Sequence, residues 1–293
     1  MPPERRWPMP FRIPAAEEGF DRVPFPIDLS ARATEPVAML DNIVTFYCRS
    51  LPRFRGKQRG LKVMKSLPCE FGRSYYGPRM AWNPTDSTYR ACMVGAYGRF
   101  ISEVIASQDQ PFTFLDIGSN QGLYALCASA NPNCERVFAF EPNPATFAYL
   151  ARNIEANGRR DLVTAFNAAI AETPSVELSV PDQHSGAASM FGTGTRITVP
   201  SVSSDDMARA FDSSRGSRII AKIDVEGAET IVLGVLKNLG FLQKIDMIII
   251  EISSNIRGEH HGSEIVAFLN KEGWSERQRS DGSTIFDAVF ERD

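Results

Sequence analysis

Basic residues do not outnumber acidic ones in this sequence, which has 32 Lys and Arg against 35 Asp and Glu and a formal net charge of −3. A protein whose main partner is a nucleic-acid backbone usually carries a basic excess, because its cations must neutralise the phosphates. Nucleic acid is therefore disfavoured as a partner, although a local basic patch stays open. The 43% hydrophobic and 23% charged residues are typical of a globular protein.

Long apolar runs are also missing. The longest strongly apolar stretch, residues 247–252, is interrupted by Glu251, whereas a bilayer span needs about 20 apolar residues. Residues 1–26 are rich in proline and charge and lack the apolar core of a secretory signal. The five cysteines include no C-x-x-C pair, which indicates free thiols in a reducing compartment. We therefore expect a cytoplasmic protein without a membrane partner.

Three regions of the chain differ in pattern. Residues 1–36 are proline-rich, which predicts an extended or partly disordered segment. Residues 37–110 contain helical periods over 37–51 and 89–105 and are expected to form a cap on the acceptor side of a catalytic domain. Residues 111–293 alternate short apolar runs with helical segments, which predicts that domain as an α/β fold with a parallel sheet.

The predicted strands of this domain are residues 112–117, 136–140, 162–168, 218–224, 245–252, 274–279 and 284–290. The predicted helices are residues 122–130, 144–157, 203–211, 228–239 and 263–272. The tight turn signal at 280–283 predicts that the last two strands form an antiparallel hairpin.

The turn after the first of these strands reads D-I-G-S-N-Q-G over residues 116–122. It lacks the G-x-G-x-x-G spacing with which dinucleotide-binding proteins wrap a pyrophosphate. S-adenosylmethionine has no pyrophosphate but has an amino-acid tail with an ammonium group, which a carboxylate and backbone groups suit. The candidate cofactor residues here are Asp116, Gly118, Ser119, Asn120 and Gly122. The alternative is a strand-to-helix turn with incidental glycines.

A second carboxylate, Glu141, ends the next predicted strand about 20 residues later, where an acid accepts both hydroxyls of a ribose. Pro142 follows it directly. Asn167, or the backbone that follows at Ala168 and Ala169, would read the adenine edge. A surface charge at 141 and apolar padding at 167–169 are the alternatives.

Three ionisable residues, Lys222, Asp224 and Glu226, alternate along the fourth predicted strand, so their side chains are expected to share one face. Glu251 similarly ends the fifth apolar run. Burying such groups is costly unless they have a task or partners, which makes Asp224, Glu226 and Glu251 catalytic candidates. Asp224 is also a candidate for binding the cofactor. The alternative is that Lys222 only pairs with a neighbouring carboxylate.

An insertion over residues 171–200 alternates like a hairpin and is expected to overhang the cofactor. It contains His184, a candidate general base because histidine titrates near working pH; a solvent-exposed loop histidine is the alternative. His260 and His261 are adjacent and would point apart, whereas a metal needs three or four ligands. No metal site is expected, although Asp224 remains open as a ligand for a divalent cation.

These motifs together resemble the FkbM family of methyltransferases, over roughly residues 95–255. The K-I-D-V-E-G-A-E string at 222–229 is the most specific of them. The resemblance implies a Rossmann-like class I methyltransferase fold, with a mostly parallel seven-stranded sheet whose last strand is antiparallel, here with an N-terminal helical extension. It also implies S-adenosylmethionine as cofactor, bound by Asp116, Gly118, Asn120, Gly122 and Glu141, with Asp224 and Glu226 at the reaction centre. The sequence departs from the family pattern at one position. The family usually has a leucine followed by an aspartate before the third crossover helix, whereas this sequence has Ser204 followed by Asp205.

The members of this family mostly methylate hydroxyls of sugars, polyketides and other secondary metabolites, so we expect a small hydroxylated acceptor. Asp224, Glu226, His184 and Glu251 are the candidate groups for taking its proton. Methylation of nitrogen or of nucleic acid, a non-catalytic cofactor-binding module and a Rossmann oxidoreductase remain as alternatives, and a homo-oligomer stays open. The acceptor pocket is expected to come from residues 37–110 and the 181–195 loop. The residues of the first segment that would suit a sugar or an anion are Arg73, Tyr75, Tyr76, Arg79 and Trp82. The alternative is that they are packing residues.

Overall fold

The computed structural model describes residues 69–182, 184–212, 216–253, 260–282 and 284–292. The predicted extended segment 1–36 and the predicted helix 37–51 therefore lie outside the described residues, and the proposed division at residues 36 and 110 stays a prediction.

Eleven strands and seven α-helices are found in the described part of the chain. The strands are β1 (Phe71–Arg73), β2 (Arg79–Ala81), β3 (Phe112–Ile117), β4 (Cys134–Phe140), β5 (Val163–Phe166), β6 (Ser175–Val180), β7 (Thr195–Pro200), β8 (Arg218–Ile223), β9 (Met247–Ser253), β10 (Trp274–Arg279) and β11 (Ile285–Arg292). The helices are α1 (Ser87–Val94), α2 (Phe100–Ala106), α3 (Leu123–Ala130), α4 (Pro144–Ala156), α5 (Ser204–Asp212), α6 (Glu229–Asn238) and α7 (His261–Lys271).

Seven strands form the central sheet, in the order β10-β11-β9-β8-β3-β4-β5. The pairs β4–β5, β3–β4, β3–β8 and β8–β9 are parallel, whereas β11 is antiparallel to both β9 and β10. All six residues of β3 are buried, as expected for a strand covered by helices on both faces. The predicted mostly parallel α/β fold with an antiparallel last strand is confirmed.

The order of the sheet also locates the site. From β3 the chain winds outward through β4 and β5, then returns to the other side of β3 with β8 and β9. Ligands of such sheets bind outside the carboxyl ends of the strands, at the point where the direction of winding reverses. Here that point lies between the turn after β3 and the loop after β8.

The N-terminal part of the described chain differs from prediction. The helix predicted over 89–105 is broken into α1 and α2, because Gly95 takes a left-handed conformation (φ 74°) that ends α1. The short hairpin β1–β2 was not predicted. It is attached to α4 through Asn153 Oδ1, which accepts a hydrogen bond of 2.6 Å from the Ala81 amide.

The predicted hairpin of the insertion is confirmed as β6 and β7, which pair with each other and not with the central sheet. None of the helices in the described ranges is long and apolar enough to cross a membrane.

Candidate functional site

Two cavities adjoin at the carboxyl ends of the central strands. The first, which we name the glycine-turn cavity, is lined by the turn after β3, the end of β4 and the loop after β8. The second, which we name the acidic cavity, lies beside it. Its charged and titratable lining consists of Tyr97, Tyr124, His184, Asp224, Glu226, Glu251 and Asp287. Tyr97, Gly186, Asp224 and Glu226 line both cavities, so a ligand in one lies beside a ligand in the other.

Gly118 brings the turn after β3 against the loop after β8. Its φ is 78°, and a Cβ built on it would lie 1.9 Å from the Asp224 carbonyl oxygen. Only glycine therefore fits this position, for reasons of backbone conformation and of space. The Gly118 amide donates to the Phe140 carbonyl at 3.0 Å, which connects the turn to the end of β4.

Glu141 is held by backbone amides on both carboxylate oxygens. Oε2 accepts from the Asn120 amide and Oε1 from the Asn143 amide, each at 2.9 Å. Burial raises the pKa of this carboxyl to about 7, although the two hydrogen bonds oppose that rise. Each oxygen can accept a further hydrogen bond, and Glu141 lines the glycine-turn cavity. The group is thus a fixed acceptor pair for two donors of a ligand.

Asp116 lies behind the cavity wall instead of on it. It is fully buried, with Oδ2 accepting from the Ala125 amide at 2.9 Å and Oδ1 3.4 Å from Lys222 Nζ. Since the N-cap Gly122 offers α3 no side chain, Asp116 provides that helix with its capping acceptor. Burial raises the pKa of Asp116 in spite of the nearby Lys222 ammonium. The predicted contact of Asp116 with the cofactor stays a prediction, while its position in the structure supports the turn from behind the cavity wall.

Lys222 links the ends of β3 and β8. Its ammonium donates to the Gly118 carbonyl at 2.7 Å and lies 3.3 Å from Asp224 Oδ2, in addition to its contact with Asp116. The neighbouring carboxylates raise its pKa above the usual value in spite of burial. Its charge thus compensates two acids, one behind the cavity and one on it.

The other predicted cofactor residues divide in the same way. Those that line the glycine-turn cavity are Gly118, Asn120, Glu141, Pro142, Ala168, Ala169 and Asp224. Ser119, Gly122 and Asn167 are not part of that lining. Asn167 instead donates through Nδ2 to the carbonyls of Glu141 and Pro142, at 2.9 and 3.0 Å, and so shapes the chain after β4.

The acidic cavity brings four carboxylates together. Asp287 of β11 pairs directly with Glu251 of β9 in the antiparallel register. Burial, and next the charge of Asp224, raises the pKa of Glu251 to about 9 and those of Glu226 and Asp287 to about 8 and about 7. Asp287 was not among the predicted residues. An acid inside an otherwise apolar strand, antiparallel to the strand of Glu251, was the available signal.

Glu226 was predicted to continue the face of β8, but it does not, because the strand ends at Ile223. It sits in the following loop with a φ of 52°, a left-handed conformation that is unusual for a residue with a side chain. Glu229 Oε1 holds this loop by accepting from the amides of Val225 and Gly227, at 3.2 and 3.1 Å. The loop thereby places Glu226 on the wall of both cavities.

Glu229 is itself held by His261, whose Nε2 lies 2.8 Å from Glu229 Oε2. Both side chains are buried. His261 therefore takes part in a structural ion pair or hydrogen bond with α6, and the described part of the chain contains no group of three or more His, Cys, Asp or Glu residues arranged to hold a metal.

The loop between β6 and β7 covers both cavities. We call its described residues, 181–182 and 184–194, the roof. Ser185, Gly186, Ala188 and Met190 line the glycine-turn cavity, while the exposed His184 lines the acidic one. Ser189 Oγ donates to the Glu226 carbonyl at 2.6 Å, which connects this roof to the loop after β8.

The segment before β3 contributes to the acidic cavity through other residues than expected. Thr88, Tyr97 and Ile101 line it. The five residues predicted for the acceptor, Arg73, Tyr75, Tyr76, Arg79 and Trp82, are absent from the described lining of both cavities. Arg79 stacks over Phe71, and Trp82 packs edge-on against Tyr89, so these side chains serve packing.

Comparison with known proteins gives three kinds of match. The family model for the methyltransferase FkbM domain matches residues 116–276, more than half of the chain. The curated hexuronic acid methyltransferase AglP of Haloferax volcanii is 32% identical over 146 residues, which are 48% of this chain and 56% of that protein. The chain thus matches little more than half the length of this relative.

Among solved structures, M. capricolum TrmK in complex with S-adenosyl-homocysteine is 11% identical with a TM-score of 0.39, and the match covers 66% of this chain and 68% of that one. The precorrin-6y C5,15-methyltransferase of Geobacter metallireducens is 13% identical with a TM-score of 0.40, over 67% and 87% of the two chains.

Proposed function

Because the chain belongs to the FkbM family of S-adenosylmethionine-dependent methyltransferases, we propose that it transfers a methyl group to a hydroxyl oxygen of a sugar or a related small metabolite. The family identification made from the sequence is confirmed, and with it the use of S-adenosylmethionine by this domain. The acceptor and the roles of single residues are part of the proposal.

One observation carries it: the glycine-turn cavity and the acidic cavity adjoin and share Asp224 and Glu226. Transfer between two bound molecules requires neighbouring compartments with a reacting centre between them. The residues also fit the cofactor. Glu141 presents two fixed acceptor oxygens that suit the two hydroxyls of a ribose, and the missing side chain at Gly118 leaves the backbone open to close approach.

The cofactor supplies an electrophilic methyl on a sulfonium, so the protein mainly positions the acceptor and accepts its proton. Two carboxylates line both cavities, and Glu226 is the better placed base because Asp224 is paired with Lys222 and because the pKa of Glu226 is raised to about 8. A base is most effective when its pKa lies near the working pH. His184 and Glu251, both in the acidic cavity, are the other groups that can take or relay the proton.

The acceptor class is supported by the relative named as a hexuronic acid methyltransferase and by the cavity itself. Carboxylates accept hydrogen bonds from hydroxyls, and the acidic cavity offers four of them. A polyhydroxylated acceptor can satisfy them without introducing an apolar group among charges.

The test combines binding and turnover. The protein is titrated with S-adenosylhomocysteine by calorimetry, then incubated with S-adenosylmethionine and a panel of glycosides and other polyols while S-adenosylhomocysteine production is measured. In Glu226→Gln we expect kcat to fall by roughly 10²–10⁴-fold with little change in cofactor affinity. Glu155→Gln, an exposed charge on α4, serves as the matched control. Binding of a nicotinamide dinucleotide instead of S-adenosylhomocysteine would refute the proposal.

The pH profile gives a second test of the base. Since Glu226 has to be ionised to accept a proton and its pKa is about 8, kcat/KM should rise as the pH increases from about 6 to 9. The apparent pKa belongs to the coupled acids of the cavity, not to Glu226 alone. A profile that is flat over this range, with an active acceptor, would exclude an acid of this cluster as the base.

A further inference from the structure

Asp86 lies outside the region matched by the family model and joins three distant segments of the chain. Its Oδ1 accepts from the Tyr89 amide at 2.8 Å, which caps α1, and from Gln121 Nε2 of the glycine turn at 3.0 Å. Its Oδ2 accepts from the Ser185 amide of the roof loop at 2.7 Å. The residue is only 4% exposed, so these bonds are made away from competing water.

A second set of contacts fastens the same part of the roof. The Gly186 amide donates to Thr88 Oγ1 at 3.1 Å, and a Cβ on Gly186 would lie 2.6 Å from that oxygen. Ser185 Oγ donates to Asn120 Oδ1 at 3.0 Å, and the Asn120 amide donates to Glu141. The roof is thus connected through hydrogen bonds from Asp86 to the carboxylate expected to hold the cofactor ribose.

We propose that Asp86 is a positioning residue that holds residues 184–186 closed over the two cavities and so retains the cofactor. The inference rests on the proposed function, because it assigns the cofactor to the glycine-turn cavity. Asp86 acts through the Ser185 backbone and does not line either cavity. A closed roof keeps water from the reacting centre and slows the loss of the bound molecule.

A carboxylate is needed because donors approach from both of its oxygens. In Asp86→Asn one oxygen can still cap α1, but the amide NH₂ is a donor and cannot accept from the Ser185 amide. The substitution thus breaks the contact to the roof while keeping a good N-cap residue. Thr88→Val is a second variant that removes the acceptor of Gly186 at nearly the same volume. Ser203→Ala, which removes an exposed cap contact at the start of α5, is the control for cap loss alone.

The first measurement uses the cofactor-free protein, so it does not depend on the proposed function. Hydrogen exchange is followed in peptides that cover residues 181–194 and, for comparison, β3. Asp86→Asn and Thr88→Val should accelerate exchange in the roof and leave β3 unchanged, whereas Ser203→Ala should change neither. Unaltered exchange of the roof in both variants, or equal acceleration throughout the protein, would overturn the inference.

The second measurement is the affinity for S-adenosylhomocysteine by calorimetry. We expect the Kd to rise about tenfold in Asp86→Asn, the usual effect of losing one charge-assisted hydrogen bond, and not to change in Ser203→Ala. A faster-exchanging roof with unchanged affinity would reduce Asp86 to a structural role. If the wild-type protein does not bind S-adenosylhomocysteine, the proposed function fails and the retention of a cofactor by Asp86 fails with it, while the exchange result still decides whether Asp86 closes the roof.

Discussion

Buried carboxylates around this site are held largely by backbone amides. Glu141 and Glu229 each accept two of them, whereas Asp116 and Asp224 share the single cation of Lys222. The two ways of holding an acid predict different effects of substitution, because a carboxylate held by amides leaves no buried charge behind when it is removed. Removing a carboxylate that is paired with a buried cation leaves that cation without part of its counter-charge.

Glu141→Gln and Asp116→Asn should therefore separate binding from stability. In Glu141→Gln we expect binding of S-adenosylhomocysteine to weaken by about 1–3 kcal/mol, through the loss of a charged acceptor. In Asp116→Asn we expect mainly a lower free energy of unfolding, by about 1–3 kcal/mol, since Lys222 loses one of its two acid partners and keeps the other, Asp224. Calorimetry and urea unfolding measure the two quantities. The reverse pattern would contradict the assigned positions.

The pKa of Glu141 also predicts how cofactor binding depends on pH. The carboxyl has a pKa of about 7 because it is buried, so protonation below that pH removes its acceptor function. We expect the affinity for S-adenosylhomocysteine to fall as the pH is lowered from about 8 to 6, and this dependence to weaken in Glu141→Gln. Titrations at several pH values test this, and an equally steep dependence in the variant would assign it to another acid.

At the level of elements, the site depends on how closely two loops approach. Gly118 and Gly158 both have positive φ values, but only Gly118 faces backbone atoms, since nothing lies within 4 Å of a Cβ built on Gly158. Gly158→Ala should cost about 1–2 kcal/mol of stability from strain alone. Gly118→Ala should cost roughly 3–5 kcal/mol because overpacking adds to it. Urea unfolding of both variants provides the comparison, and equal losses would mean that the loops after β3 and β8 can separate freely.

Elements with a strong local pattern could be predicted from the sequence. The mainly apolar run of β3 and the Asp281-Gly282 turn signal indicate a buried strand and a hairpin by themselves, and both are present. The break between α1 and α2 was missed because a helical period continues across Gly95. The position of Glu226 was missed because its loop is held by Glu229 and His261, a contact between residues 32 positions apart. The contacts of Asp86 with Gln121 and Ser185 could not be predicted from the sequence, because only the folded chain brings these residues together.

For the molecule as a whole, the charge of the acidic cavity restricts the acceptor. Four carboxylates belong to its described lining, and Lys222 already compensates Asp116 and Asp224. Above about pH 9, where Glu226, Glu251 and Asp287 are ionised, a further anion beside them would meet like charges and bind less favourably. A hexuronic acid, the acceptor in the name of the relative described above, would bring a carboxylate next to the reacting hydroxyl. We expect the acidic cavity of this chain to disfavour that carboxylate.

We accordingly expect a neutral acceptor to be methylated better than its uronic acid counterpart. At about pH 9, where most of the cavity acids are ionised, a matched pair that differs only in a primary alcohol or a carboxylate should show a kcat/KM about tenfold or more in favour of the alcohol, as for one unfavourable charge contact of about 1.4 kcal/mol. The ratio should shrink at higher ionic strength and at lower pH, where the cavity acids are protonated. A preference for the carboxylate under all conditions would show that cations outside the described lining bind it.

The left-handed backbone conformation of Glu226 lowers the stability of the protein, while its carboxylate is expected to serve the activity. A residue with a side chain costs about 1–2 kcal/mol in that conformation, and glycine does not. Glu226→Gly is therefore expected to be more stable than the parent and inactive. Selection for stability alone would accept this substitution, so a duplicate of the protein that no longer needs to catalyse the reaction should lose the carboxylate at position 226 early. A descendant that keeps an acid at this position is expected to be one that still depends on catalysis.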